Sequence, residues 1–224
     1  MREINSKFHP FEGGDVVNSG NHSRLYDLEN NPEYFAKHIK VRIGDYKNFR
    51  EPKDFAELRS NFEADLGEVK NYLGKFLPEF HITYLAETSG VDSQKDSDYP
   101  ERSAKAANGY MFMKKVAEEK DQNASVLTEK AKQLDDFVGQ AGELFISSYK
   151  DGKGLSLDLK PEHFLFGTTK GKPLPQLYFV DLYPRFHLSK NIFESRLSEI
   201  TAPYVNNYSF PKVRDIFNRL EHLD

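Results

Sequence analysis

The stretch "LSLDLKPEHFLFG", Leu155–Gly167, sets Asp158, Lys160 and His163 in quick succession ahead of an apolar run. It reads as a tight loop around Pro161 that enters a short strand at His163. A second apolar strand, "LYFVDLY", follows after the turn-like "TTKGKPLPQ" and ends at Asp181. If the two strands form a hairpin, His163 and Asp181 come together with Asp158 beside them. Two carboxylates and an imidazole at one point can accept a proton or hold a divalent metal. Magnesium prefers oxygen ligands, and manganese tolerates imidazole better.

Upstream, Val16 and Val17 start a strand, "NSGNHS" reads as a turn, and "RLYDLE" and "YFAKHIKV" as two further strands. This predicts an antiparallel meander. "EPKDFAELRSNFEADLGEVKNYLGKF" then spaces Phe55, Leu58, Phe62, Leu66, Val69 and Leu73 by three and four, one apolar face of a helix. Pro78 follows its end, and "FHITYLAE" returns to strand. The polar, breaker-rich segment Thr88–Gly109 reads as a mobile surface loop. "YMFMKKVAE" reads as a buried strand, with Lys114 and Lys115 at a solvated end. A long helix is predicted from Leu127 to Gly152 or Gly154, with Leu134, Phe137, Val138, Ala141, Leu144 and Phe145 facing a core. Two short helices, in "NIFESRLSEI" and "PKVRDIFNRLEHL", complete the chain, and the aromatics Tyr204, Tyr208 and Phe210 between them read as packing residues. The order of elements is α+β, with a sheet-rich first part and a helical second part.

The chain has 224 residues, enough for one domain or two small lobes. Hydrophobic residues at 38% and charged residues at 29% fit a soluble globular protein. A formal net charge of -4 argues against non-specific nucleic-acid binding, which needs a basic surface. Cysteine is absent, which excludes disulfides and thiolate chemistry. No apolar run approaches the length of a membrane span, and the start lacks the apolar core of a secretory signal, so the expected location is cytoplasmic. No internal repeat is visible.

"LDLKPEHFLF" followed by "YFVDLY" resembles the catalytic loop and metal-binding strand end of protein-kinase-like phosphotransferases, whose pattern is H-R-D-x-x-x-x-N and then D-F-G. The resemblance implies that Asp158 is the catalytic base and that Lys160 stabilises the transferring phosphate. It implies that His163 takes the metal-binding asparagine position and Asp181 the metal-binding aspartate. The N-terminal part carries matching motifs. "NSGNHSRLY" is similar to the Gly-rich hairpin G-x-G-x-x-G-x-V with Gly20 kept and with Asn18 and Ser23 in the outer positions. "YFAKHIK" is similar to V-A-I-K, which makes Lys37 the phosphate-pairing lysine. The following helix offers Glu68 as the partner of Lys37, with Glu63 and Glu57 as alternatives. The motifs occur in family order from Val16 to Tyr183.

This likeness implies a two-lobed protein-kinase-like fold. The N-lobe is 1–113, with phosphate hairpin, strand lysine and long helix, and the reduced helical C-lobe is 114–224. The hinge lies near Met113–Val116. It implies ATP with Mg2+ or Mn2+ as cofactors and transfer of the terminal phosphate to a hydroxyl acceptor. Ser156 stands where the family has histidine, Tyr183 where D-F-G has glycine, and no A-P-E motif is present. Only Leu182–Asp224 follows Asp181, too little for the usual substrate-binding lobe, so the acceptor is a small molecule, a carbohydrate or a protein docked without it. "HFLF" and "VDLYPRF" are also similar to segments of the lipopolysaccharide core sugar kinases. A second reading stays open: a pseudokinase that binds nucleotide or a partner protein without turnover. Arg185, just after Asp181, reads as a surface ion-pair residue and His22 as an exposed hairpin-tip residue.

Overall fold

The computed structural model describes residues 16–19, 24–28, 31–42, 52–89, 105–121, 123–184 and 188–223. Gly20, His22, Ser23, Arg185 and the middle of the loop expected after Thr88 lie outside the described residues. The protein is α+β and divides into two compact units, Met1–Ser60 with Pro78–Lys115, and Asn61–Leu77 with Val116–Asp224. Sequence alone drew one boundary after residue 113 and put the whole long helix before it. The helix instead contributes most of its length to the second unit.

The first unit is a five-stranded antiparallel sheet. Strands β1 (Val16–Ser19), β2 (Arg24–Asp27) and β3 (Tyr34–Arg42) form the expected meander. β4 (Phe80–Ser89) and β5 (Lys105–Lys114) complete the order β1-β2-β3-β5-β4. Ala36, Phe112 and Tyr34 are buried on one face, where Tyr26, Leu28 and Tyr110 pack against them. Ile39, Val41, Met111 and Met113 alternate to the other face and are buried too. The surface loop expected to run to Gly109 ends earlier. β5 already begins at Lys105, and Ala107 and Gly109 are buried. "KAANG" has little strand propensity of its own, but it lies in a ladder between β3 and β4, and that pairing overrides it. Nor are the lysines after it simply solvated. Lys114 Nζ lies 3.4 Å from Glu79 Oε2, and Lys115 pairs with Asp27. Tyr34 donates its hydroxyl to Glu79 Oε1 at 2.8 Å, and burial together with this acceptor pushes the phenol up to about 12.

Helix α1 spans Phe55–Leu73. Asp54 Oδ1 accepts from the Glu57 amide at 2.8 Å, and Glu57 Oε2 accepts from the Lys53 amide at 2.9 Å, a reciprocal cap that occupies Glu57. Leu58, Phe62, Leu66, Val69 and Leu73 are buried, as their spacing predicts. A 3-10 turn, Gly74–Phe76, ends the helix.

The rest of the second unit is a long helix beside a small sheet. α2 (Ala124–Lys150) starts three residues before the predicted Leu127 because Asn123 Oδ1 caps the Ser125 and Val126 amides. It stops where Gly152 and Gly154 adopt left-handed φ values of 75° and 51°. β6 (Ala117–Glu118), β7 (Phe164–Thr169) and β8 (Lys172–Phe179) form an antiparallel sheet in that order. The predicted turn "TTKGKPLPQ" contracts to Lys170 and Gly171. Pro173 and Pro175 fall within β8, an edge strand of this sheet, where a missing amide donor is tolerated. α3 (Lys190–Thr201) and α4 (Pro211–Glu221) follow.

α4 has no side-chain cap from its own N-cap residue, Phe210, which sits at φ 47°. Asp135 of α2 does that work. Its Oδ1 accepts from the Lys212 and Val213 amides, both at 3.0 Å. The two helices approach closely at Gly142, where a Cβ would lie 2.4 Å from Ile216 Cδ1. Among the described residues, no helix is long and apolar enough to cross a membrane.

Candidate functional site

The loop 155–163 is held in place by its buried leucines. Leu155, Leu157 and Leu159 are buried, as is Ser156, while Asp158 and Lys160 are half-buried. Ser148 of α2 fixes the start of the loop, since its Oγ accepts from the Leu155 amide at 2.8 Å. Pro161–His163 forms a single 3-10 turn, with the His163 amide donating to the Lys160 carbonyl at 3.0 Å. His163 therefore closes this turn rather than opening the strand.

The aromatic core beneath the loop sets the register. Phe164 and Phe179 are cross-strand partners in the β7–β8 ladder, and their rings meet at 5.1 Å. Phe137 of α2 packs on both, at 4.9 Å and 5.6 Å. Each such pair contributes about 0.5–1.5 kcal/mol beyond its buried area. Beyond this pair the Val180 amide donates to the His163 carbonyl at 2.9 Å. Asp181, one residue further and two past the strand end, is thereby brought beside His163.

The result is a cluster of Asp158, His163 and Asp181 whose candidate ligand atoms all lie within 4.8 Å of one another. His163 Nδ1 lies 3.7 Å from Asp181 Oδ2 and 2.7 Å from the Asp158 backbone carbonyl. A carbonyl only accepts, so Nδ1 carries the proton of that bond and the lone pair of the neutral ring is on Nε2. Lys160 Nζ is 3.1 Å from Asp158 Oδ2. The carboxylates repel one another at this range, and Lys160 offsets charge on Asp158. All four side chains keep some exposure, from 13% at Asp181 to 37% at Lys160. Two carboxylates and an imidazole, partly desolvated and arriving from two segments, are a donor set that fits a divalent cation.

The other expected site residues sit on other elements. Lys37 is half-buried in β3, opposite Leu25 and Met111, and belongs to the first unit. Glu68 lies on the part of α1 that belongs to the second unit, where its Oε2 is 3.4 Å from Lys153 Nζ. Of the alternatives, Glu57 is spent on the helix cap and Glu63 is exposed. Tyr183, which the resemblance set against the glycine of D-F-G, packs its ring on Phe62 at 5.5 Å. Gly20 and Ser23 lie outside the described residues. Sequence reasoning missed Lys153 and the Phe137–Phe164–Phe179 core that positions the loop. The phenylalanines were legible as apolar, but nothing local marks them as contacts of one another. No family model matches the chain, and no curated protein matches it in sequence.

Proposed function

We propose that the protein is an ATP- and divalent-metal-dependent phosphotransferase acting on a hydroxyl of a small-molecule, carbohydrate or protein acceptor. The observation that carries this reading is the convergence of Asp158, His163 and Asp181, with Lys160 on Asp158. Asp158 orients the acceptor hydroxyl and takes its proton as the acceptor oxygen bonds to the terminal phosphorus. The bond to the bridging oxygen breaks, and ADP leaves. Lys160 neutralises charge on the phosphoryl oxygens in flight. Asp181 and His163 are the residues that would hold a cation, which supplies charge neutralisation at the phosphates. Positioning and electrostatics account for most of such catalysis.

The finer fold reading, a two-lobed protein-kinase-like architecture, is supported by the order of elements. A three-strand meander, a helix and two strands of the same antiparallel sheet precede the helical unit that carries the loop. The parts assigned to Gly20, Ser23, Lys37 and Glu68, and the cytoplasmic location, rest on the sequence alone. A pseudokinase is the second reading. The Tyr183 ring packed on Phe62 favours it, because that contact removes the freedom a glycine would give the segment after Asp181.

The test is ATP binding and hydrolysis by the purified protein with Mg2+ and then Mn2+, beside Asp181→Ala. Metal-dependent turnover lost in the variant supports the enzyme. Metal-dependent binding without turnover, even with acceptor hydroxyls supplied, moves the reading to the pseudokinase. No binding with either metal overturns the enzyme and the nucleotide-binding form of the pseudokinase.

A further inference from the structure

We infer that His163 decides which cation this site takes, selecting a first-row transition ion such as Mn2+ over Mg2+. The inference deepens the phosphotransferase reading and rests on its metal site.

The ring is held from several directions. Nδ1 donates to the Asp158 carbonyl at 2.7 Å. The backbone of His163 is tied on one side to the Lys160 carbonyl at 3.0 Å and on the other to the Val180 amide at 2.9 Å. Phe179 meets the imidazole edge to face, with centroids 6.0 Å apart and an interplanar angle of 87°. A histidine whose one ring nitrogen donates to a backbone carbonyl has its tautomer set and its other nitrogen free to ligate. As long as Nδ1 stays on the Asp158 carbonyl, the ring lone pair left for a cation is on Nε2.

The consequence follows from ligand chemistry. Mg2+ binds oxygen in near-ideal octahedral geometry and gives up its waters reluctantly. An imidazole in place of an amide oxygen takes away a ligand that Mg2+ favours. Mn2+ accepts nitrogen and oxygen together, and imidazole binding strengthens along the first-row series. Asp181 serves either cation, so the discrimination falls on His163.

The test measures the metal by itself, without nucleotide. Mn2+ binding to the full chain is followed by EPR, with Mg2+ as competitor, in the wild type and in His163→Asn, which restores an oxygen ligand. Mn2+ should bind at least about tenfold more tightly than Mg2+, and the substitution should remove most of that preference, since even changes behind a ligand alter metal affinity by about 10–100-fold. Pulsed EPR of wild-type Mn2+ should show imidazole nitrogen coupling, a readout that does not depend on the variant folding. Equal affinities, a preference kept in His163→Asn, or a spectrum without nitrogen coupling would each overturn the inference while leaving the phosphotransferase reading in place. Failure of both cations to bind, with or without ATP, overturns the metal site and that reading together.

Discussion

At the α2–α4 seam, Asp135 is 1% exposed and its carboxylate accepts from the Lys212 and Val213 backbone amides and from the Tyr208 side chain. In the loop before β7, Asp158 keeps partial exposure, leans on Lys160 and faces a second carboxylate and an imidazole. Both aspartates belong to the second unit, but their surroundings differ in kind. Asp135 finds fixed dipoles at a helix start, where negative charge is favoured, and it gains stability there. Asp158 finds Lys160 at 3.1 Å and a second carboxylate beside it, and that second charge works against the first. A buried carboxylate that holds a helix start in place is a structural part. A carboxylate gathered with others at partial exposure is a place for a ligand.

That contrast is breakable. The largest expected effect is at the seam. Asp135→Ala leaves the Lys212 and Val213 amides and the Tyr208 side chain without this acceptor and should cost about 2–3 kcal/mol in chemical denaturation. A loss below about 0.5 kcal/mol, the range of ordinary surface changes, would put Asp135 in the same class as a surface residue.

Gly142→Ala should come next. Its Cβ would meet Ile216 Cδ1 at 2.4 Å and Cγ1 at 2.6 Å. Overpacking of this kind costs about 1–3 kcal/mol, against up to about 1 kcal/mol of helix propensity gained. Stability should therefore fall, and adding Ile216→Val should recover part of it. A Gly142→Ala protein that melts higher than wild type would show that the seam has room to give.

In the loop the effect should be far smaller. Asp158→Asn relieves repulsion from Asp181 but weakens the pair with Lys160, so stability should change by less than about 1 kcal/mol, while turnover is lost. A clear destabilisation by this change would mean that Asp158, like Asp135, is a structural carboxylate.

The smallest effect is expected at the surface of the seam. The Arg219 guanidinium binds Glu143 with both arms, Nη2 to Oε2 at 2.8 Å, and holds that carboxyl below its usual range. A carboxylate lowered in the folded state stabilises above its ordinary pKa of 4.5, and that contribution is lost as pH falls through the lowered folded value. Glu143 is 48% exposed, so Arg219→Ala should cost less than about 1 kcal/mol at neutral pH. The variant's stability should also fall less steeply than the wild type's on the acid side. Parallel acid profiles for the two proteins would show that the pair contributes nothing.

Much of this molecule was written locally. The apolar face of α1 and the meander of β1–β3 follow from periodicity, which each segment carries in itself. So did the proximity of Asp158, His163 and Asp181, because a hairpin between two short apolar strands leaves few other arrangements. Other features needed partners distant in the chain. "KAANG" is a strand because β3 and β4 flank it. Two prolines sit in β8 because that strand has a free edge. Glu68 meets Lys153 because α1 contributes most of its length to the unit that carries that lysine. Asp135 caps a helix 77 residues away, and no spacing rule could have marked it. The sequence determined which faces are apolar and which side chains carry chemistry, since those are properties of residues and their immediate neighbours. Only the tertiary structure decided where each polar group finds its counterpart, since a hydrogen bond is settled by distance in space and not by separation along the chain.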